Sequence, residues 1–76
     1  MGFRRGPRVQ WVYANGSSWV SLDPRAQAQL EQLWSINSSY WIQSDNFNFK
    51  GPLYADIGQM CIVYNGMTYT IARRRF

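Results

Sequence analysis

The alternation of apolar and polar positions near the start of the chain predicts a β-hairpin. One face of the first strand collects apolar side chains with a period of two: Val9, Trp11 and Tyr13. Asn15-Gly16 predicts a tight turn because both residues tolerate a positive φ. The return strand carries Trp19, Val20 and Leu22. We expect the indoles of Trp11 and Trp19 to lie in the core.

The pattern then changes to the period of a helix. Asp23-Pro24 predicts the helix start, because Asp can accept a hydrogen bond at the N-cap and Pro suits the first helical position. Four residues form an apolar stripe: Ala26, Leu30, Leu33 and Trp34. Three glutamines fall largely outside that stripe: Gln27, Gln29 and Gln32. The helix should end within residues 35–37, where Ser and Asn compete for backbone hydrogen bonds.

Short segments that alternate again predict strands in the second half of the chain. The first covers residues 40–43, and Phe47 and Phe49 alternate with Asn48 as a second piece. A third piece places Leu53, Ala55 and Ile57 on one face and Tyr54 and Asp56 on the other.

The last segment, residues 60–72, predicts a hairpin with a two-residue turn at Asn65-Gly66. That turn fixes the pairing register, with Ile62 opposite Tyr69. One helix and several short strands predict an α+β domain, with the helix packed on a strongly curved, mainly antiparallel sheet.

Composition limits the classes of protein that fit this pattern. The 76 residues carry a formal charge of +4, thirteen aromatic residues, one cysteine and no histidine. The length fits one domain, so we assign residues 9–76 to it and expect the basic residues 1–8 to be disordered. No run approaches the roughly 20 apolar residues of a membrane span. The single Cys61 favours a reducing, intracellular setting, cytoplasmic or nuclear.

A set of residues, taken in order, resembles the WWE domain family, named for two tryptophans and a glutamate. The match spans about residues 9–75, and the set comprises Trp11, Tyr13, Trp19, Leu30-Glu31, Tyr54, Asp56, Met60, Ile71 and Arg73-Arg74. The resemblance implies a half-open barrel packed on one helix. It also implies a place in ubiquitin or ADP-ribosylation proteins, several of which bind ADP-ribose or poly-ADP-ribose.

The resemblance also implies where such a ligand would lie. Tyr13 and Tyr54 match tyrosines of the adenine pocket in the better-studied binders. The pocket should lie between Tyr13, Tyr54 and the face carrying Tyr69, with Arg73 or Arg74 near its rim. Glu31 is interpreted as a structural hydrogen-bond acceptor.

Two positions depart from the family pattern. Binders commonly carry Gln where this chain has Ile62, and Arg where it has Tyr69. Because the predicted register places these two residues opposite one another, a polar ligand contact surface is replaced by an aromatic–aliphatic pair. We therefore expect ligand affinity to be weakened.

The sequence thus favours a non-catalytic module that reads ADP-ribose or poly-ADP-ribose weakly. The acidic residues are dispersed and Cys61 has no histidine partner, so no catalytic residues are proposed, and no metal or cofactor is expected. The alternative is a WWE-like module for protein–protein contact or structural support, with partners in a ubiquitin or ADP-ribosylation pathway. Single-stranded nucleic-acid binding ranks last, because no RNP-like motif accompanies the aromatic and arginine residues.

Overall fold

The computed structural model describes residues 8–75 as one helix and one six-stranded antiparallel sheet. The elements in chain order are β1 (Val9–Asn15), β2 (Ser18–Ser21), α1 (Pro24–Ile36), β3 (Tyr40–Gln43), β4 (Pro52–Asp56), β5 (Cys61–Tyr64) and β6 (Met67–Arg75). The strands lie in the order β2-β1-β6-β5-β4-β3, and the sheet is not closed. The predicted α+β class and the strand start at Val9 are confirmed. Except for Arg8, the segment predicted to be disordered lies outside the described residues.

The predicted start and end of the helix are confirmed. The Asp23 side chain accepts a hydrogen bond from the Ala26 N–H, and Pro24 occupies the first turn. At the other end Asn37 adopts a left-handed conformation, with φ at 53°. In that conformation its N–H satisfies carbonyls of the last turn, which ends the helix.

Two glutamines of α1 form hydrogen bonds with main-chain groups on opposite sides of the helix. The Trp11 N–H donates to Gln27 Oε1 at 2.8 Å, and Gln27 Nε2 donates to the Leu22 carbonyl at 2.8 Å. The Gln43 N–H donates to Gln29 Oε1 at 3.0 Å, and Gln29 Nε2 donates to the Gln43 carbonyl at 2.8 Å. Both glutamines lie outside the apolar stripe, as predicted, and their side chains form hydrogen bonds with main-chain groups. The helix therefore bridges β1 and β3, which are far apart in the strand order.

The core lies between α1 and one face of the sheet. Its buried members are Trp11, Tyr13, Leu22, Ala26, Leu30, Ile42, Phe49, Leu53, Ala55, Ile57, Ile62 and Ile71. Trp11 is 1% exposed, as predicted, but the prediction for Trp19 was wrong because its side chain is 46% exposed. Val20 pairs with Tyr13 and packs against the core, so the alternation of β2 turns Trp19 to the opposite face. Trp34, at the edge of the helix stripe, is also exposed.

The segment that follows β3 corrects a second prediction. Phe47 and Phe49 do not alternate on a strand, because residues 47 and 48 form a turn. The Asn46 side chain accepts from the Asn48 N–H, and the Asn46 carbonyl accepts from the Phe49 N–H. This turn sends Phe49 into the core, at 2% exposure, and leaves Phe47 79% exposed.

Both predicted hairpins form, with a difference in the first turn. Asn65 and Gly66 occupy the turn between β5 and β6 with φ values of 51° and 78°, and Ile62 pairs with Tyr69 as predicted. In the first hairpin Asn15 pairs with Ser18, so the turn residues are Gly16 and Ser17, one position later than Asn15-Gly16. Of these two turn residues, Gly16 adopts a positive φ of 64° and Ser17 does not.

We predict opposite outcomes for two neighbouring phenylalanines. Phe49→Ala should lower the free energy of unfolding by about 3–5 kcal/mol, because it empties a buried site. Phe47→Ala should change it by less than about 0.5 kcal/mol, because that ring is exposed. Urea denaturation followed by circular dichroism measures both values, and Phe49→Leu gives an intermediate loss if Phe49→Ala does not fold. Equal effects at the two positions would support the strand that the sequence predicted.

Candidate functional site

Glu31 joins β1, α1 and β6 through two partners. Trp11 Nε1 donates to Glu31 Oε1 at 2.8 Å. Arg73 donates to both oxygens, from Nε to Oε1 at 3.0 Å and from a terminal nitrogen to Oε2 at 2.6 Å. Glu31 is thus a structural acceptor, as interpreted from the sequence. Its pKa is lowered chiefly by the hydrogen bond from Arg73, against the raising effect of burial, and the bond from Trp11 lowers it further.

Arg73 is committed to this cluster. Its guanidinium also lies 5.2 Å from the centre of the Trp34 ring, and the hydrogen bond to Glu31 raises the pKa of Arg73. Arg73 pairs with Trp11 across the β1–β6 ladder, whereas Tyr69 lies four residues earlier on β6. At about 3.3 Å per residue, four residues separate them by roughly 13 Å. A phosphate at Tyr69 would therefore not reach Arg73 while the ion pair is intact.

Arg74 lies on the other face of the sheet from Arg73, as strand alternation requires. Its guanidinium is 5.7 Å from the centre of the exposed Trp19 ring. This contact places a cation over an aromatic face, which is favourable at exposed sites. The two arginines that the sequence offers as alternatives for the pocket rim therefore belong to different surfaces.

Two of the predicted tyrosines do come together, at the end of the core closed by Phe49. The rings of Tyr13 and Tyr69 meet edge to face with centres 5.9 Å apart, and each also contacts Phe49, at 4.9 and 5.4 Å. Beside them lies an open groove of about 250 Å³. We call it the Tyr69 groove, and its lining consists of Tyr13, Asn15, Asn48, Phe49 and Tyr69.

Tyr54 does not belong to that groove. Leu53 and Ala55 on either side of it are buried in the core, so Tyr54 faces away from the helix side of the sheet. Its ring contacts Trp41, with centres 5.3 Å apart. Tyr69 pairs with Ile62, which in turn pairs with Ala55, so Tyr69 lies on the core face. The structure therefore brings Tyr13 and Tyr69 together and separates both from Tyr54.

Ile62 packs as the predicted register requires. It is fully buried opposite Tyr69, consistent with the prediction that the Ile62–Tyr69 pair replaces polar ligand contacts. An aromatic–aliphatic cross-strand pair contributes about 0.2–1 kcal/mol to a sheet. The face that carries these two residues is used for packing of the core.

Sequence reasoning missed the two amides and the phenylalanine of the groove. Asn15 was assigned to a turn, and Asn48 and Phe49 to a strand. The spacing Asp45-Asn46-Phe47-Asn48 was the available signal, because Asp and Asn side chains stabilise turns by bonding backbone two residues on. Tyr64 completes the loop: the Lys50 N–H donates to its hydroxyl and that hydroxyl donates to the Lys50 carbonyl, each at 3.0 Å.

Among residues 8–75 no three side chains of His, Cys, Asp or Glu are grouped closely enough to hold a metal ion. Helix α1, the helix of that range, has neither the length nor the apolar character needed to cross a membrane. Burial raises the pKa of the Cys61 thiol, and the nearby Asp56 raises it further, which lowers the fraction of nucleophilic thiolate.

The lowered pKa of Glu31 predicts a loss of stability in acid. A carboxylate whose pKa is lower in the folded state adds stability above its unfolded pKa, about 4.3, and this stability is lost as the pH falls through the folded value. We expect the free energy of unfolding to fall below about pH 5. Glu31→Gln should flatten that dependence because it removes the titrating group.

Urea denaturation at a series of pH values measures the effect. Arg73→Met should also flatten the curve, since Arg73 is the main cause of the shift, and the double variant should flatten it no further than Glu31→Gln does. Asp23 contributes a similar dependence in every variant; burial raises its pKa, but hydrogen bonds from Ser44, Asp45 and Ala26 lower it overall. Parallel curves for wild type and Glu31→Gln would contradict the assignment.

The comparisons with known proteins add no relative to these observations. No family model matches the chain, and searches of the curated proteins and of the solved structures give no match either. The resemblance to the WWE family therefore depends on the ordered set of residues from Trp11 to Arg74 in the sequence.

Proposed function

We propose that the chain is a non-catalytic, WWE-like module that binds ADP-ribose-type ligands weakly in the Tyr69 groove. The observation that carries the proposal is the combination of aromatic walls and two amide side chains around one open cavity. Aromatic surface with a few convergent polar groups is the usual lining of a small-molecule site. The partners would then be ADP-ribose or poly-ADP-ribose within an intracellular ubiquitin or ADP-ribosylation pathway.

The groove suits one flat ring of such a ligand better than the whole molecule. Its volume of about 250 Å³ lies below the range of about 300–1,000 Å³ that is usual for ligand pockets. Tyr69 is half-buried and supplies most of the accessible aromatic surface, because Tyr13 and Phe49 are each 2% exposed. The amides of Asn15 and Asn48 can each donate and accept hydrogen bonds. An adenine ring needs both kinds of contact, and neither requires a charged residue.

The same lining accounts for weak binding. None of the five lining residues is charged, and Arg73 is bound to Glu31. A hydrogen bond to a charged group contributes about 1.5–3 kcal/mol, so a ligand that lacks two such contacts binds at least about a hundredfold less tightly. We therefore expect recognition of adenine and poor recognition of the phosphates.

The half-open barrel of the WWE family is part of this proposal. Helix α1 binds β1 through Gln27 and β3 through Gln29, although these strands stand at positions two and six in the order of the sheet. A sheet must curve for one helix to reach both strands. This arrangement supports a sheet wrapped around the helix.

A second candidate function is protein–protein contact without an ADP-ribose ligand. Trp41 on β3 is 55% exposed and packs edge to face on Tyr54, on the face of the sheet away from the helix. Exposed aromatic residues are enriched at protein interfaces. This observation favours an interaction surface at the β3–β4 edge, with a partner from the same pathway.

Calorimetric titration with iso-ADP-ribose, ADP-ribose and ATP tests the first function. We expect dissociation constants above about 10 μM, weaker than about −7 kcal/mol, for all three ligands. Asn48→Ala should weaken binding about two- to tenfold, because it removes a hydrogen bond of about 0.5–1.5 kcal/mol from an exposed side chain. Tyr54→Ala is the matched control and should leave affinity unchanged, since that ring lies on the other face.

Two results would count against the groove. Submicromolar binding of iso-ADP-ribose would mean that phosphate contacts are present elsewhere. A loss of affinity in Tyr54→Ala but not in Asn48→Ala would place the ligand on the other face. If none of the ligands gives heat at millimolar concentration, the interaction surface becomes the better account.

A further inference from the structure

Basic side chains without an ion-pair partner lie at one end of the described structure. Glu31 and Asp45 form ion pairs with Arg73 and Arg25. Asp23 and Asp56 accept hydrogen bonds from neighbouring hydroxyl and backbone groups. Within residues 8–75, four basic side chains make no ion pair: Arg8, Lys50, Arg74 and Arg75.

The pairing of β1 with β6 gathers three of these four. Gln10 pairs with Arg74 and Val9 pairs with Arg75, while Arg8 directly precedes Val9. Neighbouring strands lie about 4.8 Å apart, so three positive charges share one end of two adjacent strands. A hollow of about 460 Å³ lined by Arg8, Val9, Gln10 and Gln27 opens at the same end. The sequence separates Arg8 from Arg74 and Arg75 by more than sixty residues, and the antiparallel register brings them together.

An exposed indole extends this charged end across the sheet. Trp19 on the edge strand β2 is 46% exposed, and Arg74 reaches to within 5.7 Å of its ring centre. Gln10, which pairs with Arg74, donates a hydrogen bond to the hydroxyl of Ser21 on β2. We call the end of the sheet formed by Arg8, Arg74, Arg75 and Trp19 the basic end; strand alternation places Arg74 on the face of Trp19 and Arg75 on the opposite face. It combines unpaired guanidinium groups with a flat aromatic face.

We propose that the basic end binds single-stranded nucleic acid. Phosphates would contact Arg8 and Arg74, and also Arg75 where the strand passes around the end of β6 to the opposite face. An unstacked base would stack on Trp19, beside the guanidinium of Arg74. A duplex fits less well because its bases are stacked on one another and expose no face to an indole. An acidic peptide would use the charges but would have no need of the indole. This surface is separate from the Tyr69 groove, and it revives the function that the sequence ranked last.

Fluorescence anisotropy with a labelled oligonucleotide of about 10 residues tests binding by the whole chain, since such sites span about 4–16 nucleotides. We expect binding at about 50 mM salt that weakens as salt rises. Neutralising three phosphates on a single strand predicts a slope of log K against log salt near −2, at about 0.7 per contact. A duplex of the same sequence and a polyglutamate of the same charge should both bind at least about tenfold more weakly.

Charge variants have a matched control within the chain. Arg74→Gln with Arg75→Gln should weaken binding by more than about tenfold and reduce the slope by about 1.4, at 0.7 per lost contact. Arg25→Gln with Lys50→Gln makes the same change in net charge away from the basic end. That control should shift affinity by less than about threefold and keep the slope, because no phosphate contact is lost.

The indole is tested in the same way. Trp19→Ala should weaken binding at least about fivefold with the slope unchanged, because base stacking does not depend on salt. Phe47→Ala removes an exposed aromatic ring outside the basic end and should have no effect. Thermal denaturation of each variant establishes that it folds, and Trp19→Phe replaces Trp19→Ala if it does not.

Several outcomes would overturn the proposal. These are no binding at about 50 mM salt, equal binding of duplex and single strand, or equal binding of polyglutamate. Equal losses in the two charge variants would show that only net charge matters. A Trp19→Ala variant that binds as wild type does would remove the base-stacking contact on which the choice of single strand depends.

Discussion

The hydrogen bonds and ion pair at Glu31 are the constraint on which the rest of the structure depends. The carboxylate of Glu31 lies in the middle of α1. It accepts hydrogen bonds from the indole of Trp11 in the core and from the guanidinium of Arg73 on β6. A buried indole N–H needs an acceptor, and a partly buried carboxylate needs donors. Because each group meets the need of the others, the helix has one position relative to β1 and β6.

The same constraint decides what the surface can offer to a ligand. Arg73 is engaged with Glu31 and Trp34, so it is withdrawn from the groove, while Arg74, one residue later, faces the opposite side of the sheet. Two adjacent arginines therefore serve unrelated purposes, one in the fold and one at the surface. The molecule consequently has an uncharged groove at one end of the core and a basic surface at the end where β1 and β6 pair near Arg8.

Much of the fold could be predicted from sequence because its signals are local. Asp23-Pro24 and Asn65-Gly66 determine a helix start and a turn through short-range chemistry, and the last turn also fixed the Ile62–Tyr69 pair. The site depended on longer-range information. The exposure of Trp19 depended on how the edge strand β2 pairs with β1. The burial of Phe49 depended on a turn made by Asn46. Tyr54 shares neither strand nor face with Tyr13, which order along the chain could not show.

The amide of Gln29 has a consequence for how this open sheet meets other chains. β3 is an edge strand, and the outward N–H and C=O of Gln43 would otherwise be available to a strand from another molecule. Gln29 occupies both groups with its own side chain, so an incoming strand would first have to displace it. A single helix residue thus blocks hydrogen-bonding groups at the β3 edge of the sheet. It disfavours edge-to-edge aggregation without adding residues to the chain.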